Sequence, residues 1–82
     1  MNAKRLYFRT HITTELGKGV AYMEFTDGRN SRVIEMCGAT ARWGDIECPE
    51  HLIVEPLSEC GFRPDEEIEP EEFERAWKAA QG

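Results

Sequence analysis

Residues 19–38, GVAYMEFTDGRNSRVIEMCG, limit the possible folds more than any other stretch of the chain. Before Asp27-Gly28, Ala21, Met23 and Phe25 share one parity, and Val20, Tyr22 and Glu24 share the other. Beyond it, Ile34 and Met36 alternate with Val33 and Cys37. A period of two with β-branched and aromatic residues is the mark of half-buried strands. Asp-Gly is the strongest short hairpin signal, because glycine accepts the positive φ of a tight turn. The two runs therefore predict a hairpin.

Similar patterning extends to either side. In LYFRTHI (6–12), Leu6, Phe8 and Ile12 alternate with Tyr7, Arg9 and His11, and ELGKGV (15–20) reads as the turn into the hairpin. GATARW (38–43) predicts a fourth strand, with Gly38 permitting a turn or bulge. CPEHLIVEPL (48–57) holds a short apolar run fenced by Pro49 and Pro56. Proline cannot donate to a ladder, so this run is an edge strand or an extended strap.

The C-terminal pattern changes period. Phe73, Ala76, Trp77 and Ala80 fall at i, i+3, i+4 and i+7, one stripe of a helix over about residues 70–80. Pro70 suits its first turn, and Glu71–Arg75 and Glu74–Lys78 have the spacing of supporting ion pairs. So short a helix is marginal alone and must dock its Phe73/Trp77 face on the sheet. The expectation is a single α+β domain over residues 1–82: a mostly antiparallel four-stranded sheet within about residues 6–54, and one helix on one face. On that reading Tyr7, Arg9, His11, Val20 and Tyr22 decorate the opposite, open face.

The net charge of −6 is unevenly spread. Residues 65–82 hold seven acids against Arg75 and Lys78, a local −5, whereas Lys4, Arg5, Arg9 and Lys18 against Glu15 make the first 18 residues +3. An acidic end repels a phosphate backbone, which argues against nucleic acid despite an aromatic sheet face. It steers basic protein surfaces instead. Acids at a helix start also answer the macrodipole without any partner. No apolar run approaches the ~20 residues needed to span a bilayer. The basic N-terminus lacks the apolar core of a secretory signal, and three cysteines leave one unpaired, so a cytoplasmic protein with reduced thiols is expected.

Three thiols and an imidazole, Cys37, Cys48, His51 and Cys60, fall within 24 residues. Structural zinc prefers two close ligand pairs. Cys48 and His51 form one such pair, but Cys37 and Cys60 are singletons, so a zinc-stabilised module is the alternative reading and no cofactor the leading one. A catalytic thiol needs a cation or histidine to lower its pKa, and Glu47 and Glu50 flank Cys48 instead. Glu35, Asp45 and Glu47 are candidates for paired carboxylates, without a sign of burial in a cleft. An enzyme acting through Cys48 and His51 is the remotest of the three readings.

YMEFTDGRNSRVIEM followed by IEPEEFERAW resembles a group of small bacterial proteins in which a DGR hairpin leads to a closing I-x-x-E-E-F-E-x-x-W helix. The resemblance covers roughly residues 20–80, and the cysteines lie outside its motifs. It implies strands plus one helix and no established activity, so no site residues carry over.

The function expected is non-enzymatic protein binding, of the inhibitor or immunity type. Glu66, Glu67, Glu71 and Glu74 supply charge towards a basic partner surface, and Tyr7, Tyr22 and Trp43 act as anchors. Self-association through the open sheet face is the other partner reading.

Overall fold

The computed structural model describes residues 3–81. It contains a four-stranded antiparallel sheet in chain order: β1 (Arg5–Thr14), β2 (Gly17–Thr26), β3 (Arg29–Cys37) and β4 (Thr40–Asp45). One helix, α1 (Pro70–Gln81), follows. The α+β reading holds, as do the turns at ELGKGV, Asp27-Gly28 and Gly38. Asp27 and Gly28 take φ of 50° and 84°, the left-handed pair that matches the twist of the strands they join.

A β-bulge in β3 sets the two sheet faces. Thr26 pairs with Arg29 and Phe25 with Asn30, but Glu24 then pairs with Arg32, so Ser31 is the extra residue. A bulge shifts the alternation by one, and every later side chain changes face. Val33 thus joins Phe8, Ala21, Met23 and Phe25 in one buried cluster. Ile34 joins Tyr7 and Phe73 in the other.

Both faces carry a cover, the second over only part of its length, which corrects the expectation of a wholly open one. Phe73, Ala76, Trp77 and Ala80 of α1 pack over Tyr7, Tyr22, Ile34, Met36 and Trp43. The helix therefore lies on the face predicted to be exposed. The Phe8/Phe25 face is roofed by a strap, residues 46–69, carrying Leu52, Ile53, Leu57, Cys60 and Phe62. Phe62 stacks on Phe8 with centroids 4.5 Å apart and meets Phe25 edge-on at 5.8 Å. Irregular backbone shows no period, so the sequence pattern names one cover while an apolar sheet with two hydrophobic faces requires two. The expected strands reaching residue 54 end at Asp45, and residues 48–57 form the strap alternative.

The strap is held by named polar groups. Asp45 Oδ1 accepts the amides of Glu47 and Cys48, and Asp45 N–H donates to the Cys48 carbonyl, turning the chain off β4. Gly44 makes room for that turn: a Cβ there would lie 3.0 Å from the Cys48 carbonyl oxygen. Buried Asn30 donates to the carbonyls of Glu24 and Arg32 and accepts the Ile53 amide at 2.9 Å. The Leu57 amide donates to the Gly28 carbonyl at 2.8 Å. After a last 3-10 turn, Pro64–Glu66, the chain passes the outer edge of β1. There Glu67 bridges Phe8, and the Ile68 amide donates to the Tyr7 carbonyl. The chain has then crossed to the opposite face, where α1 begins.

Candidate binding groove

The strap covers the Asp27-Gly28 end of its sheet face and leaves the other end uncovered. The result is a groove of about 480 Å³. Ile12, Ala21, Met23 and Val33 form its sheet side with Thr10, and Ile53, Cys60, Gly61 and Phe62 form its strap side. Glu35, Glu55, Glu59, Glu66 and His51 complete the lining, which contains neither lysine nor arginine.

These four carboxylates differ in their engagement. Glu35 accepts from Arg42, opposite it on β4, at 2.7 Å, and Arg42 also reaches Glu15 at 3.1 Å. Glu66 accepts the Arg63 amide and the Thr10 hydroxyl, and these hydrogen bonds hold its carboxyl below the ordinary range. Glu55 and Glu59 have no ion pair among the described residues and stand exposed on the strap. The Cys60 thiol is pushed up, first by burial and then by the charges of Glu55 and Glu59. That is opposite to the shift a nucleophilic cysteine requires.

Of the anchors expected from sequence, one is a core residue and two are half-buried. Tyr7 is only 8% exposed, and its hydroxyl donates to Glu24 Oε2. Tyr22 is half-buried under α1, and Trp43 meets Trp77 edge-on at 5.5 Å. A helix lies on this face and the strap on part of the other. Of the expected charged residues, Glu66 lines the groove, while Glu67 and Glu71 are exposed near the start of α1. Glu74 reaches Arg32 at 2.6 Å rather than the Lys78 its spacing predicts, and Glu71–Arg75 is not among the ion pairs formed by the described residues. The thiols do not converge. Cys37 is buried at the end of β3 beside Thr14, Cys48 is exposed, and Cys60 is half-buried in the strap. Among the described residues no group of three or more His, Cys, Asp or Glu side chains is arranged to hold a metal ion.

Sequence reasoning missed the buried network beneath α1. Glu24, 4% exposed, accepts from the Tyr7 and Ser31 hydroxyls and from Arg32 through two nitrogens, at 3.0 and 2.6 Å. The Arg32 guanidinium lies 4.8 Å from the Phe73 ring centroid and 5.0 Å from that of Trp77. Opposite charges on consecutive strands were the available signal. Counting outward from the Asp-Gly turn pairs Glu24 with Ser31, however, and only the bulge brings Arg32 opposite it.

No protein-family model matches this chain, and neither the curated proteins nor the solved structures include a significant match. No described helix is long and apolar enough to cross a membrane.

Proposed function

We propose that this protein is a non-enzymatic binding module that recognises a basic segment of another protein, in the manner of a small inhibitor. One observation carries the reading. Residues 52–74 contain nine acids and a single cation, Arg63. Asp65, Glu72 and Glu74 have ion pairs with Arg63, Arg9 and Arg32. Glu55, Glu59, Glu66, Glu67, Glu69 and Glu71 have none among the described residues. Internal pairing therefore does not account for the charge of the wrapping segment, and unpaired charge of one sign steers and selects an oppositely charged partner.

One further feature speaks against a nucleophilic role for the groove: burial first, and then the charges of Glu55 and Glu59, push the Cys60 thiol up. The test is fluorescence anisotropy with a labelled decalysine peptide, using decaglutamate as the control. Binding is expected for decalysine alone and should weaken steeply between 50 and 300 mM salt, roughly as screening dictates. Glutamine at Glu55, Glu59, Glu66, Glu67 and Glu71 together should weaken it at least tenfold. Equal binding by the quintuple variant, or none by the parent at millimolar peptide, would overturn the proposal.

A further inference from the structure

The groove has a more specific complement than the acidic segment as a whole. We infer that it receives one lysine side chain of the basic partner, its methylenes lying on half-buried Ile12 and Ile53 and its ammonium meeting Glu55 and Glu59. This rests on the binding reading above and names the contact within it.

The argument begins with the lining. Half-buried Ile12 and Ile53, above the buried Ala21, Met23 and Val33, face an opening bounded by carboxylates and free of lysine and arginine. An apolar patch alone would suit any hydrophobic residue, and acids alone would suit any cation. Side by side they match a side chain that is apolar along its stem and charged at its tip. A volume of about 480 Å³ also leaves room for the backbone around that side chain. Lysine is the simplest side chain of this kind, because a compact ammonium needs only charge at its tip.

The acids are also divided by availability. Glu35 is already held by Arg42, and Glu66 by Thr10 and the Arg63 amide. Glu55 and Glu59 are the two rim carboxylates left with neither an ion pair nor a side-chain hydrogen bond among the described residues. Their field reaches into the groove, since both charges act on the Cys60 thiol that lines it. The strap that carries them is tied to the sheet through Ile53 and Leu57, so the rim is held in place before a ligand arrives. Preorganisation of this kind lowers the cost of binding.

Methyl-detected NMR during a decalysine titration tests the assignment, with ε-acetylated decalysine as control. Two variants, E55Q/E59Q and E67Q/E71Q, are compared after circular dichroism confirms that each is folded. The expected result is saturable shifts at the Ile12 and Ile53 methyls with decalysine only. Kd should rise at least fivefold more in E55Q/E59Q than in E67Q/E71Q. Binding that leaves these methyls unmoved, and that is weakened more by E67Q/E71Q, would overturn the lysine groove while leaving the basic-partner reading intact. Methyl shifts equally strong with the acetylated peptide would also overturn it, because the contact would then be apolar. No binding of decalysine at millimolar concentration would overturn both.

Discussion

Replacing Arg32 by methionine would isolate the charge of Glu24 inside the protein. The guanidinium makes two hydrogen bonds to Glu24, whose side chain is 6% exposed, and others to Glu74, 51% exposed. The exposed pair contributes at most about 1 kcal/mol, because water screens it. Removing one partner of a fully buried pair costs about 3–5 kcal/mol. Here Tyr7 and Ser31 continue to donate to Glu24, which places the cost near the lower end. Methionine keeps apolar contact with the Phe73 and Trp77 rings and offsets part of the lost cation–π attraction. The expected loss is about 3 kcal/mol, or roughly 12–24 °C in Tm for a domain of this size.

The pH dependence separates this cause from simple loss of packing. In the parent, burial alone would raise the Glu24 pKa, but hydrogen bonds from Arg32 and Ser31 outweigh it and the carboxyl lies below its ordinary value of 4.5. A group depressed on folding contributes stability that is complete above its unfolded pKa and lost as pH falls through the folded one. From pH 7 to 5 the parent therefore loses nothing through Glu24. In the Arg32→Met variant burial prevails, the pKa rises above 4.5, and proton uptake stabilises the folded state as pH falls. Urea midpoints at pH 7 and pH 5 should show the gap between parent and variant narrowing on acidification. A gap of the same size at both values, or one below about 1 kcal/mol at pH 7, would show that Glu24 is not the isolated charge described.

Asn30→Ala should release the strap without unfolding the sheet. It removes the acceptor of the Ile53 amide and two bonds to β-strand carbonyls, costing about 2–3 kcal/mol; hydrogen exchange at Ile53 should accelerate far more than at Met23, and equal acceleration would mean global destabilisation instead. Thiol titration with a disulfide reagent near pH 8 should label Cys48 first, Cys60 next and Cys37 last, following exposure and the raised Cys60 pKa. Mass mapping of early products checks this order, and early labelling of Cys37 would contradict the burial of the β3 end.

The four strands, three turns and the helix were legible in the sequence because each depends on local chemistry. Asp27-Gly28 permits the tight turn, alternation marks strand faces, and Phe73, Ala76, Trp77 and Ala80 make a stripe that must dock. Membership of each strand face was also largely legible: Ala21, Met23 and Phe25 stay together, as do Ile34 and Met36. Which face α1 would cover was not. Both faces are apolar, so alternation identifies two candidate cores without assigning a cover to either. The choice depends on the strap, an aperiodic segment held by Asn30, Gly28 and Phe62, residues whose partners lie far along the chain.

The candidate site divides in the same way. The excess of acid in residues 52–74 is a property of sequence alone, as is the absence of a second close cysteine or histidine pair to complete Cys48–His51. Tyr7, Tyr22 and Trp43 look like surface anchors while their face is taken to be open, and the docked helix buries Tyr7 and half-buries the other two. The Ser31 bulge brings Arg32 opposite Glu24, and the strap's path over half a sheet face creates the groove and brings Glu55 and Glu59 beside Ile12, Met23 and Val33. Local propensity determined the elements and their charge. Tertiary packing decided which charges are neutralised and which remain available, because ion pairs and grooves form between residues that only the fold brings together.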